Sequence, residues 1–206
     1  MPGELLNMKE KIEKYLKESI SVKQELLKSQ ADTISQMAKV LIHCIRSDGK
    51  ILIFGNGGSA ADSQHIAAEL VVRFALNRRG LPALALTTDT SIITAGANDL
   101  GFEEVFRRQV EALGRKGDLL IAISTSGRSP NVINAAEQAK AQGMSVIGLT
   151  GAAEGPMDRI ADLVLHVPSA DTARIQESHI AIGHLICDLV EQELFGNNSS
   201  SPNHQR

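Results

Sequence analysis

Residues 51–69 read ILIFGNGGSAADSQHIAAE, and the succession of residue types in this stretch decides the fold class. The apolar run Ile51-Leu52-Ile53-Phe54 is strand-like, Gly55-Asn56-Gly57-Gly58 stops it, and a helical pattern begins at Ser59. Strand, glycine turn and helix in that order bring backbone N–H groups and a helix amino terminus up to an anion in α/β proteins. The glycines let the backbone approach a ligand closely, and Ser59 with Asp62 is expected to cap the helix. The spacing is neither the dinucleotide fingerprint nor a Walker loop, so hydride transfer and nucleotide hydrolysis lose support. His65 and Glu69 follow at i,i+4 on one helical face, a pair suited to holding a metal or moving protons.

Outward from this stretch, the pattern alternates. Strands are expected at Ala83–Thr87, Leu119–Ile123, Ser145–Thr150 and Leu163–Val167. Helices are expected at Thr90–Ala97, Glu103–Leu113, Pro130 to about Gln142, Met157–Ala161 and Thr172–Phe195, with a turn at Asn98-Asp99-Leu100-Gly101. Five short apolar strands separated by helices argue for a parallel sheet covered on both faces, a three-layer αβα sandwich. Ligands on such sheets bind beyond the carboxyl ends of the strands. That rule places the loops after Phe54, Thr87, Ile123 and Thr150 on one rim. Residues 1–195 read as a single domain with a helical extension, and 196–206 as a polar, disordered tail.

The helical extension divides into two in this reading. Leu5, Met8, Ile12, Tyr15, Val22 and Leu26 form a narrow apolar seam, to be packed on a partner subunit or on the chain's own domain. A second helix is expected from Thr33, where Thr33 and Gln36 fit a capping box, with Ile34, Met37, Leu41 and Ile45 as its core face. Aromatic residues are only 3 % and the formal net charge is −3, which removes both the stacking platform and the basic footprint of a nucleic-acid binder. Cys44 and Cys187 fall within helices and make no metal or disulfide spacing, so they read as small buried hydrophobes. With neither a signal-peptide pattern nor an apolar run of membrane-spanning length, the chain is expected to be cytoplasmic.

The strongest further signal is Ser124-Thr125-Ser126-Gly127-Arg128-Ser129-Pro130. Pro130 suits the first helical position and Ser129 the N-cap, so hydroxyls, amides and the helix dipole together can hold a phosphate. A phosphate cradle beside a His/Glu pair points to chemistry on a small phosphorylated molecule. On the last helix, Ile175, Ile182, Ile186, Leu189 and Val190 make one apolar face that includes His179, expected to be a hydrogen-bonded core residue. His184 lies on the opposite side with Glu177, Glu191, Ile180 and Cys187, so that side is not simply solvated. His43 and His166 sit in apolar stretches and read as satisfied structural residues; His204 is in the tail.

The segments GNGGSAADSQHIAAEL, ALTTDTSIITAGANDLGFEEVFRRQVEALG, ISTSGRSPNV, GLTG and RIQESHIAIGHLICDLVE together resemble the bacterial phosphoheptose isomerases of the sugar-isomerase (SIS) domain superfamily. The resemblance spans nearly the whole chain, and the combination of His65, Glu69, Gln176 and His184 is its narrowest part. It implies one zinc ion per subunit held by those four residues. It also implies contacts to a phosphorylated seven-carbon sugar from Asn56, Gly57, Gly58, Ser59, Glu69, Asn98, Asp99, Ser124, Thr125, Ser126, Ser129 and Gln176. Glu69 and His184 would be the acid/base pair for isomerising sedoheptulose 7-phosphate through an enediol, in a cytoplasmic homotetramer that supplies heptose to lipopolysaccharide or other surface glycans. The alternative implied by the same fold is a non-catalytic adaptor that binds a replication initiator protein; the carboxylate of Glu69 favours the enzyme.

Helix arithmetic adds one expectation. Gln176 and His184 are eight residues apart, roughly 12 Å along a straight helix, whereas zinc ligands lie about 2.0–2.2 Å from the ion. Either the last helix starts after Gln176 or His184 reaches a neighbouring subunit's site. The two-faced last helix and the amino-terminal seam favour the second, with active sites at subunit interfaces.

Overall fold

Five parallel strands in the order β2-β1-β3-β4-β5 form the sheet of the computed structural model, which describes residues 7–196. The elements in chain order are α1 (Met8–Arg46), β1 (Ile51–Gly55), α2 (Gly58–Val71), β2 (Ala83–Ala85) and α3 (Thr90–Leu100). A 3-10 turn (Phe102–Glu104) and α4 (Arg107–Leu113) come next, followed by β3 (Leu119–Ile123) and α5 (Pro130–Ala141). The chain ends with β4 (Ser145–Thr150), α6 (Met157–Ile160), β5 (Leu163–His166) and α7 (Thr172–Phe195). Leu5 of the expected seam and tail residues 197–206, including His204, lie outside the described residues.

Strand alternation divides the core into two layers. Ile51, Ile53, Leu119, Ile121, Ile123, Ile147, Leu149 and Leu165 pack under α1, α2 and α7 with Ile34, Met37, Leu41, Ile66, Leu70, Ile182 and Ile186. Leu52, Phe54, Leu120, Ala122 and Val146 face the other way, onto Val105, Phe106, Val110, Val132, Ala135, Ala136 and Ala139. Each fully buried Leu, Ile or Val contributes about 1.5–3 kcal/mol by leaving water. Both cysteines are buried and free, as expected; burial pushes the Cys44 thiol up to about 11 and that of Cys187 up to about 12.

Several local expectations are corrected. The extension is one 39-residue helix, without the break at Thr33. Nothing between Ser29 and Thr33 forces a break, because the stretch has neither Gly nor Pro and Ser29 Oγ bonds back to Glu25 O at 2.9 Å. A continuous buried stripe of Leu26, Ile34, Met37, Leu41 and Ile45 then favours a single rod. Helix α3 continues through Asn98 and Asp99 to Leu100, so those residues are helical and not in a turn. The expected helix at 103–113 splits where Val105 and Phe106 turn into the core, Phe106 stacking on Phe54 with ring centroids 4.6 Å apart. His43 is exposed in the last turn of α1 and not a core residue.

The order of the strands creates the place for a site. From β1 the chain moves outward to β2 and then crosses back to β3 on the other side, so the loops after β1 and β3 flank the point where the winding reverses.

Candidate active site

The loop after β1 turns on Gly57, the N-cap of α2, whose φ of 56° and ψ of −118° suit a residue without a side chain. Ser59 and Asp62 therefore do not cap this helix. Ser59 is buried (3 % exposed) and lies against Gly55, where an added Cβ would come within 2.6 Å of Ser59 Cβ. The loop after β3 gathers its hydroxyls: Ser124 Oγ lies 3.4 Å from Ser126 Oγ and 3.2 Å from Ser129 Oγ, and Ser126 Oγ accepts from Arg128 N at 3.2 Å. Ser129 is the N-cap of α5 and Pro130 opens the helix, as the sequence indicated, but the Ser129 hydroxyl turns to Ser124 and makes no capping bond. Thr125 O accepts from Gly151 N at 3.0 Å and ties this loop to the one after β4.

A pair of amides bridges the two loops. Asn56 and Asn131 exchange two hydrogen bonds of 2.9 Å, locking the β1 loop to the first turn of α5. The sequence reading assigned Asn56 to the substrate and did not single out Asn131. The structure uses both side-chain groups of Asn56 in the brace.

Helices α2 and α7 lie side by side and run in the same direction, meeting at three levels. At the amino end, Gln176 lies against Gly58, where a Cβ would come within 2.5 Å of Gln176 Nε2. At mid-length, His65 Nε2 is 2.8 Å from His184 Nε2 and 3.2 Å from Glu69 Oε1. At the carboxyl end, Glu191 receives the backbone N–H groups of Phe74, Ala75 and Leu76. Between the levels, Gly183 lets the helices approach, since a Cβ there would sit 2.7 Å from Ile66 Cδ1.

His184 thus joins His65 and Glu69 within one chain and does not need a neighbouring subunit, the alternative that helix arithmetic favoured. Helix α7 is continuous through Gln176 and His184, and among the described residues no hydrogen bond joins Gln176 to the trio. The ligand atoms of His65, Glu69 and His184 all lie within 4.8 Å of one another. Two imidazole nitrogens at 2.8 Å repel unless a proton or a cation sits between them, and a carboxylate oxygen beside them adds a third donor. Two neutral imidazoles and one carboxylate are a set that can hold a metal ion, so the residues present fit one.

Around the trio, Asp62 is half-buried three residues before His65, and its Oδ2 is buried without a partner. Burial pushes the Asp62 carboxyl above its ordinary range, partly offset by His65 and His184 nearby. Phe74 tilts over His184 with ring centroids 5.8 Å apart. Two further histidines behave as the sequence indicated: His179 is fully buried with Nε2 3.1 Å from Thr150 O, and His166 bonds Asp158 at 2.8 Å and Gly151 O at 3.1 Å. Asn98 and Asp99 are exposed on α3 and bond each other at 2.7 Å. Among the described residues no hydrogen bond or ion pair joins them to the cradle, and α3 buries none of its residues.

Residues 14–151 match the SIS domain family model. The phosphoheptose isomerase of Burkholderia pseudomallei (strain 1710b) is 57 % identical over 164 residues, 80 % of this chain and 83 % of that protein. The phosphoheptose isomerase of Sulfurimonas denitrificans is 49 % identical over 191 residues, 92 % of this chain and 98 % of that one. Among solved structures, phosphoheptose isomerase GmhA from Neisseria gonorrhoeae superposes with a TM-score of 0.86 at 46 % identity, covering 90 % of this chain and all of that one. A phosphoheptose isomerase from Francisella tularensis gives 0.88 at 40 % identity, covering 91 % and 100 %. On its family match, its closeness to these relatives and its superposition on their structures, the chain belongs to the SIS domain family, among the phosphoheptose isomerases.

Proposed function

We propose that the protein isomerises sedoheptulose 7-phosphate to D-glycero-D-manno-heptose 7-phosphate. The observation that carries this is the trio of His65, Glu69 and His184, held on the two helices beside a hydroxyl-lined anion cradle, in a chain 57 % identical to a phosphoheptose isomerase. Moving a carbonyl from C2 to C1 requires a proton to leave C1 and return at C2, and a second proton to pass from the C1 oxygen to the C2 oxygen. Glu69 and His184 divide these two transfers between them. They belong to a single cluster, so both can reach adjacent carbons of one enediol. A zinc ion held by His65, Glu69 and His184 would supply Lewis-acid polarisation of the carbonyl.

Ser124, Thr125, Ser126 and Ser129 hold the phosphate, with the amino terminus of α5 adding its dipole. The backbone of Asn56, Gly57, Gly58 and Ser59 forms the opposite wall. Gln176, which lies against Gly58, supplies an oxygen to the sugar or the ion. We assign the chain to a cytoplasmic homotetramer that supplies heptose for lipopolysaccharide or other surface glycans; no described helix is long and apolar enough to cross a membrane. Exposed Met8, Ile12, Tyr15, Leu16 and Ile20 on α1, and Ile92 and Leu100 on α3, support burial against other subunits. The same burial would bring Asn98 and Asp99 to a neighbour's sugar.

The test is incubation of the zinc-loaded protein with sedoheptulose 7-phosphate. Appearance of an aldoheptose 7-phosphate, abolished by chelation and restored by zinc, is the expected result. A folded, zinc-loaded protein that leaves the ketose unchanged contradicts the assignment.

A further inference from the structure

Just beyond the carboxyl end of α2, an ion pair sealed from water joins the following segment to α7, with the Arg78 and Glu191 side chains 2 % and 0 % exposed. Glu191 is saturated with donors: Ala75 N at 2.7 Å and Leu76 N to Oε1, Phe74 N at 3.0 Å and Arg78 Nε at 2.8 Å to Oε2. Burial opposes ionisation of Glu191, but the N–H groups of Leu76, Phe74 and Ala75 and the guanidinium outweigh it and hold the carboxyl below its usual range. Arg78 gives three further donors to backbone carbonyls: Leu70 O at 2.7 Å, Arg79 O at 2.9 Å and Glu69 O at 2.9 Å. It therefore caps the carbonyl end of α2, where a cation is favoured, and grips the backbone of Glu69 itself. Glu191 stands on α7 two turns beyond His184, and the turn it gathers presents Phe74 to the His184 ring at 5.8 Å.

We propose that the Arg78–Glu191 pair is a positioning device that fixes Glu69 on α2 and His184 on α7 at the separation their shared chemistry requires. The inference rests on the proposed isomerase reading for its kinetic part, and on the trio's geometry alone for its metal-binding part. Apolar side chains would join two helix ends equally well. They would not hold three N–H groups of one turn and two carbonyls of the other element, including that of Glu69. Arg78 and Glu191 touch neither substrate nor ion in this account and act only through the helices that carry Glu69 and His184.

Glu191→Gln, Arg78→Lys and Phe74→Leu in the full chain test the proposal. Each is compared with wild type by thermal unfolding, by Co2+ titration followed through the visible absorption of the bound ion, and by kcat and KM for sedoheptulose 7-phosphate. The expected result for folded Glu191→Gln and Arg78→Lys is Co2+ affinity weakened by about 10–100-fold, as for loss of support behind metal ligands. Their kcat should fall at least about tenfold while KM stays within about twofold, because the phosphate cradle on β3 and α5 is left alone. Phe74→Leu, outside the ion pair, should shift both readouts in the same direction by less, and it decides the matter if neither charge variant folds. Co2+ affinity and kcat both within about twofold of wild type, or loss of kcat and KM together at unchanged Co2+ affinity, overturns the proposal, as does a wild-type chain that binds no Co2+. A wild-type chain that binds Co2+ but does not turn over the sugar defeats the isomerase reading and leaves the positioning claim to the titration.

Discussion

Ser126 is the exposed member of the hydroxyl chain after β3, and its Oγ both receives Arg128 N and faces Ser124 Oγ. A hydrogen bond to a phosphate oxygen is worth about 1.5–3 kcal/mol. Ser126→Ala should therefore raise KM for the phosphosugar about tenfold or more with kcat little changed, and steady-state kinetics at saturating metal would check this. His179 makes a prediction of a different kind. Burial holds its imidazole down at about 4, against 6.5 in the unfolded chain, and the bond with Thr150 O only partly opposes this. Between those values the unfolded chain binds the extra proton, so stability rises with pH across this window. The contribution is complete above 6.5 and is lost as pH falls toward 4. His179→Gln should flatten the dependence of Tm on pH between 4 and 6.5 relative to wild type; an unchanged slope would remove His179 as its source.

At the scale of elements, the site is a property of the α2–α7 pairing. The sequence carried most of what each helix needs: the glycine turn opening α2, the His65/Glu69 spacing, and Pro130 opening α5. It also carried the placement of His184 on a second, non-solvated side of α7, which the structure explains as the seam facing α2. What it did not carry was the partner of that seam. Spacing along one chain gives the face on which His184 stands but not which helix covers it, and this is why a neighbouring subunit was favoured. Glu191 lies seven residues from His184, so the same face was legible, but its backbone partners at 74–76 were not, because no periodicity marks a turn that is pulled in by a carboxylate. Asn131 was missed for a similar reason: an Asn in the first turn of a helix reads as local, and its bond to Asn56 joins residues 75 positions apart. Gly183 tests the pairing itself. A methyl group there meets Ile66 Cδ1 at 2.7 Å, so Gly183→Ala should destabilise the fold by about 1–3 kcal/mol and weaken metal binding by moving His184 from His65. Calorimetry with a Co2+ titration would detect both; a variant unchanged in both would show that the close approach is unnecessary.

For the whole molecule, the parallel αβα sandwich was readable because five short apolar runs alternate with helices, whereas the strand order, with its reversal at β1 and β3, was not. The extension was not: a lone Thr-x-x-Gln pattern imitates a helix start, and only the unbroken buried stripe identifies one rod. The first half of that rod leaves Met8, Ile12 and Ile20 more than half exposed, which a solitary chain gains nothing from. Sedimentation should find a tetramer for the wild type and smaller species for Ile12→Glu, whereas a wild-type monomer would refute the assembly.

The central claim is that Glu69 and His184, in one chain, move the protons of an aldose–ketose isomerisation. Turnover of sedoheptulose 7-phosphate in D2O, followed by NMR with the metal-loaded protein, tests it most directly. The account predicts solvent deuterium entering at the isomerising carbons with wild type, and a rate about 10²–10⁴-fold lower with folded Glu69→Gln. Equal exchange by the two proteins, or none by a folded and metal-loaded wild type, would contradict it.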